Sequence, residues 1–150
     1  MIIQPSKIVT LYRPATAQQL QAIARADWLA FGAESLISGY FYPMLHSSYA
    51  RLLAREWNAR QYGEGFVLQC RVHADGLSSF QPQTVATARH LEYCIPANKL
   101  HAFNAALCER IQVVQHYGIA APAKRPTIPV LNATPLAAFQ TSDWAFACSA

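Results

Sequence analysis

The sequence predicts an α+β fold, in which strands and about three helices mix without a strict strand–helix–strand rhythm. Three observations lead there. Ile8-Val9-Thr10-Leu11-Tyr12-Arg13 is a β-branched and aromatic run stopped by Pro14, which reads as a strand. Phe66, Leu68, Cys70 and Val72 alternate with Val67, Gln69, Arg71 and His73, the period of a sheet covered mainly on one face. Between and after these strands, apolar residues recur at helical spacing in three segments.

Taken in order, Thr16 opens the first helix with Gln19 as its capping-box partner. Leu20, Ile23, Ala24 and Trp28 form its expected stripe. Residues 31–39 carry little pattern and are expected to be loop. Tyr40-Phe41-Tyr42-Pro43-Met44-Leu45 reads as a short aromatic strand broken by proline, at an edge or a ligand-lined rim. Ser47 or Ser48 should cap a second helix running to about Asn58, striped by Tyr49, Leu52, Leu53 and Trp57. Gly63 and Gly65 bracket the turn into the alternating strand. After a stretch from Asp75 to Pro82, a further strand centres on His90 to Ile95, with Leu91, Tyr93 and Ile95 on one face and His90, Glu92 and Cys94 on the other. Leu100, Phe103 and Leu107 mark a third helix, and Ile111 to Val114 a closing strand.

A chain of 150 residues has room for one domain with a real core. Hydrophobic residues make up 53% and charged residues 13%, which excludes a disordered polyelectrolyte. The net charge of +4 is mild and favours an anionic ligand such as a nucleotide. No block of five Lys or Arg occurs, so nucleic acid is not an expected partner. No apolar run is long enough to span a bilayer, and residues 1–7 lack the pattern of a secretory signal. Cys70, Cys94, Cys108 and Cys148 are scattered, without metal spacing, and are expected to be reduced thiols in a cytoplasmic protein.

The histidines His46, His73, His90, His101 and His116 stand without a GxSxG elbow or an HExxH spacing, so neither a nucleophile–base triad nor a metal site is expected. Gly63-Glu64-Gly65 is a turn and not a phosphate loop. What remains is Arg13 at the end of the first strand, the aromatic patch Tyr40, Phe41 and Tyr42, and Glu92 on the face of His90. Each has an ordinary alternative: a rim arginine, core aromatics, and a solvated carboxylate.

The order of these elements resembles the ADP-ribosyltransferase superfamily. Leu11-Tyr12-Arg13 resembles its opening arginine strand, Phe41-Tyr42-Pro43 and the following helix its second strand and helix, and His90 to Pro96 the late strand that carries its glutamate. More closely, Leu11 to Pro14, Phe41-Tyr42-Pro43, Tyr49-Ala50-Arg51, Glu56-Trp57-Asn58, Gln83-Thr84-Val85 and His90 to Pro96 resemble a family of short bacterial proteins labelled "ADP-ribosylation/crystallin". The resemblance spans residues 8–114. It implies a split sheet whose cleft holds NAD as substrate, with no metal. Arg13, beside Tyr12, would hold the phosphate or ribose side, Tyr42 and Phe41 would stack on the nicotinamide, and Glu92 would stabilise the charge that develops as the glycosidic bond breaks. His90 would help activate an unknown acceptor. The chain departs from the superfamily in lacking its Ser-Thr-Ser motif and in carrying His90 where arginine-modifying enzymes have Glu or Gln.

These readings divide the chain into an ADP-ribosyltransferase-like domain at 1–116 and a Pro-rich apolar arm at 117–150, through which two copies could pair. The alternative function is a non-catalytic nucleotide- or protein-binding module on the same fold. An open cleft shared by Arg13, Tyr42, His90 and Glu92 would favour the enzyme, and a blocked or scattered set the binding module.

Overall fold

In the computed structural model, which describes residues 7–85 and 87–118, the β-branched run forms strand β1 (Ile8–Ala15). It pairs antiparallel with β3 (Glu64–His73), from Ile8 opposite His73 to Ala15 opposite Phe66. The other edge of β3 holds β7 (Gln112–Gly118), in a pairing irregular between Val67 and Leu68. The closing strand thus runs beyond Val114 to Gly118.

On the free side of β1, one short segment joins it to a distant strand. Tyr12 N–H donates to the Met44 carbonyl at 2.8 Å, and Met44 N–H donates to the Tyr12 carbonyl at 2.7 Å. Met44 also bridges Glu92 of β5 (Thr87–Glu92), while Tyr93 N–H donates to the Pro43 carbonyl at 2.8 Å. The aromatic-proline segment is therefore interior, correcting its expected place at an edge. Pro43 lacks an N–H but keeps an acceptor, and that acceptor is what the pairing uses. β4 (Gln83–Val85) pairs with β5, and β2 (Tyr40–Phe41) pairs with β6 (Ile95–Pro96). The described residues form a mixed α+β arrangement of small antiparallel sheets and helices.

Helix α1 (Ala17–Arg25) starts as expected, with Thr16 as N-cap and both capping-box hydrogen bonds made with Gln19. It ends earlier than its apolar spacing suggests. Asp27 and Trp28 take left-handed backbone, so Trp28 reaches the core from beyond the helix, and Ala24 is exposed.

The second helix is continuous but irregular. α2 (Ser47–Leu53) passes through a π-helical turn at Ala54–Asn58 into α3 (Ala59–Tyr62), and Gly63, at φ 83°, ends it. His46 occupies the N-cap position instead of either serine. The buried stripe is Tyr49, Ala50, Leu53 and Ala54, whereas Leu52 faces outward. Small alanines let this helix approach the sheet closely, which the larger Leu52 would prevent. Gly65 has the same role from the strand side, since a Cβ there would lie 2.1 Å from the Ala54 carbonyl oxygen. α4 (Leu100–Ala105) buries Leu100 and Phe103, while Leu107 follows it as a bridge to Val72.

Helices cover both faces of the β1–β3 pair. On one face Leu11, Leu68, Cys70 and Val72 pack with Ile23 of α1, Phe103 of α4, and Phe41. On the other face Tyr42, Met44 and Val67 lie beneath Tyr49, Ala50, Leu53 and Ala54. Strand alternation sorts residues between these layers, and so decides which side each candidate residue serves. The C-terminal arm, and with it the expected dimer contact, lies outside the described residues.

Candidate functional site

Arg13 follows Leu11 on β1 and points into the same layer, so the backbone period buries a guanidinium at 3% exposure. One terminal nitrogen donates to the Ser35 carbonyl, and the guanidinium carbon lies 5.1 Å from the centre of the Phe41 ring. Nη1 has no hydrogen-bond partner among the described residues. Burial lowers the Arg13 pKa to about 10, against the opposing pull of Glu92 and a smaller one from Cys70.

Glu92 is 1% exposed, and neither carboxyl oxygen has a hydrogen-bond partner among the described residues. Burial pushes its pKa up to about 9, and the charge of Arg13 only partly opposes this. At neutral pH Glu92 is therefore protonated, and no ion pair joins it to Arg13 among the described residues. The ladder Tyr12–Met44–Glu92 explains the separation. Residues directly opposite on neighbouring strands share a face, so Glu92 lies on the α2 side while Arg13 points to the other.

Tyr42 is fully buried in the α2 layer, where burial first, and then the Glu92 charge, raise its phenol pKa. Tyr12 is half-buried against the same cluster. His90 stacks on Tyr49 with ring centres 4.7 Å apart and planes inclined by 26°, and its buried Nδ1 has no hydrogen-bond partner among the described residues. The structure thus brings Tyr12, Tyr42, His90 and Glu92 to one side. Arg13 and Phe41 lie on the other, within electrostatic reach of Glu92. The set is neither scattered nor open.

One hollow borders Arg13 and a second shares part of its wall, and Glu92 lines neither. The smaller, about 90 Å³, is bordered by Arg13, Thr16, Gln19, Ile37, Asn58 and Tyr62. The larger, about 380 Å³, shares Thr16, Gln19 and Tyr62 with it and adds Ala17, Gln18 and Glu34. Sequence reasoning missed Asn58 as a site residue. Its nearest signal is the π-helical turn that ends on it, a feature frequent at functional sites, but no residue spacing announces a π turn.

Among the described residues no group of three or more His, Cys, Asp or Glu could hold a metal ion. No helix among them is long and apolar enough to cross a membrane. Cys70 and Cys108 are free thiols, and burial raises the Cys70 pKa to about 12. Cys94 is disulfide-bonded, which corrects the expectation of reduced thiols at that position.

What the fold and site define is a class: an α+β protein with a buried arginine and a buried glutamate, its pKa raised by that burial, on opposite faces of one strand layer. No family model, curated protein or solved structure matches the chain.

Proposed function

We propose that this chain is a nucleotide-binding protein of the ADP-ribosyltransferase-like kind, that NAD is its ligand, and that Arg13 anchors the anionic part of that ligand. The observation that carries this reading is the buried guanidinium of Arg13, a residue that borders a hollow and whose Nη1 has no hydrogen-bond partner among the described residues. Among the described residues no ion pair engages Arg13, Glu92 with its raised pKa included, and a buried charge without a counter-ion is costly. A phosphate supplies one, and a planar guanidinium suits its geometry. The larger hollow falls within the range of about 300–1,000 Å³ found for small-molecule sites. The 90 Å³ space at Arg13 admits only a small group, so the two hollows together are the fit for a nucleotide.

Binding without turnover is the reading favoured by the closed arrangement around Glu92. Calorimetric titration of NAD into the full chain should give saturable heat. Arg13→Lys, shown to be folded by circular dichroism, should bind at least about tenfold more weakly, because an ammonium lacks the planar fork. A folded wild-type chain that takes up no NAD overturns the proposal.

The second reading, transfer of ADP-ribose, is favoured by the cluster of Glu92, His90 and Tyr42 in one layer. In such a step the ribose C1′–nitrogen bond of NAD breaks, and nicotinamide leaves with the electron pair. The acceptor forms the new bond to C1′ and passes its proton to a base. This requires the layer to open and Glu92 to ionise. Glu92→Gln should then keep NAD binding and lower NAD cleavage by orders of magnitude. Equal cleavage by the two proteins would remove Glu92 from the chemistry.

A further inference from the structure

Cys94 lies between β5 and β6, just beyond Glu92, and packs half-buried against the cluster that holds Tyr42, Tyr49 and Leu53. Its thiol is committed to a disulfide, while Cys70 and Cys108 are free. The chain has four cysteines, so the sulfur left within it to close that bond is Cys148, near the end of the C-terminal arm. The start of the arm is tied to the same place. Tyr117, next to the last residue of β7, packs against the same cluster as Cys94.

That cluster has an aromatic rim. Tyr12, Tyr40 and Trp57 are half-buried at its edge, and Tyr40 stands against buried Tyr42 with ring centres 6.3 Å apart. Tyr42, Tyr49 and Trp57, like Cys94, engage further groups. The arm carries what such a rim takes. Trp144-Ala145-Phe146-Ala147 leads directly into Cys148, and even a fully extended chain keeps Trp144 within about 14 Å of Cys148. Aromatic rings packed on an aromatic rim gain both buried area and favourable ring geometry.

We propose that Cys94 is bonded to Cys148, and that this bond straps the apolar segment Trp144 to Cys148 across Tyr12, Tyr40 and Trp57 as a releasable cover over the layer that holds Glu92. The inference does not depend on which ligand the protein binds. Release is thiol–disulfide exchange with a dithiol reductant. One thiolate of the reductant attacks a sulfur of the pair, and the other cysteine leaves as a thiolate and takes a proton. The second thiolate of the reductant then closes its own disulfide and expels the first cysteine, so two electrons pass to the pair. The reverse exchange with an oxidised dithiol re-forms the bond. Cys70 stays out of the exchange, because it is buried in the opposite layer and burial pushes its pKa up to about 12, which keeps it an unreactive thiol.

The test begins with the full chain, alkylated after unfolding, digested without reductant and read by mass spectrometry. A peptide joining Cys94 to Cys148 is expected, with Cys70 and Cys108 alkylated. Cys148 found alkylated, or Cys94 linked to Cys70, to Cys108 or to a second chain, overturns the inference. Hydroxyl-radical footprinting then compares the wild type with Cys148→Ser, shown to be folded by circular dichroism. Oxidation of Tyr12, Tyr40 and Trp57 should rise severalfold in the variant, while Tyr62, exposed and not part of the cluster, should react as before. Equal oxidation of the three rim residues in the two proteins would sink the cover. Dithiothreitol should free Cys94 and Cys148 in the folded wild type, and a bond that resists it until urea unfolds the chain would overturn the release.

Discussion

The guanidinium carbon of Arg13 lies 5.1 Å from the centre of the Phe41 ring, inside a cluster where Phe41 also meets Phe31 at 4.7 Å and Phe103 at 5.1 Å. The ring faces a cation that has lost its water, the condition under which a cation–π contact is strongest, at about 2 kcal/mol. Phe41→Leu should therefore cost about 2–4 kcal/mol in urea unfolding, more than lost area alone explains. A loss below about 0.5 kcal/mol would show that Ser35 alone holds the arginine.

Glu92 makes stability depend on pH. Its folded pKa of about 9 lies above the ordinary 4.5, so the folded chain binds this proton more tightly than the unfolded chain does. The contribution is fully present below about pH 4.5 and is lost as pH rises through about 9. The wild-type Tm should fall from pH 6 to pH 9 relative to that of Glu92→Gln, which has no proton to lose. Parallel curves for the two proteins would contradict this.

Gly65→Ala tests the close approach of helix and strand. The added Cβ would stand 2.1 Å from the Ala54 carbonyl oxygen and 3.1 Å from the Ala59 nitrogen, both backbone atoms. No rotamer change can relieve that contact, so a loss of about 3 kcal/mol or failure to fold is expected. Wild-type stability in this variant would mean that the π-helical turn yields without cost.

Thr16→Ala removes one half of the capping box and should destabilise the chain by about 1 kcal/mol in urea unfolding. The same change frees the Gln19 N–H beside the hollows. An unchanged unfolding midpoint would show that Gln19 alone holds the start of the helix.

How much of this was legible depended on the range of the interactions. The Thr16–Gln19 box, the β1 run and the alternation of Leu68, Cys70 and Val72 are local patterns, and each took its expected place. The stripe of the second helix was misread at Leu52, because burial there follows the close approach of Gly65 to Ala54 and not apolar character. Arg13 and Glu92 were legible as candidates through resemblance. Their burial on opposite faces was not, since it follows from Met44 lying between their strands. Asn58 carried no signal, because a π turn shifts the register of everything beyond it.

By itself the sequence determined the α+β class, the start of its first helix, the course of the β1 and β3 strands, and the residue types available for an anion site. Those are set by backbone periodicity, caps and side-chain chemistry within a few residues of each other. Only the tertiary structure decided that burial raises the Glu92 pKa, that Arg13 has no ion-pair partner among the described residues, and that Asn58 borders the same hollow as Thr16 and Gln19. Burial and charge are properties of a residue's spatial neighbours, and here those neighbours come from segments far apart in the chain.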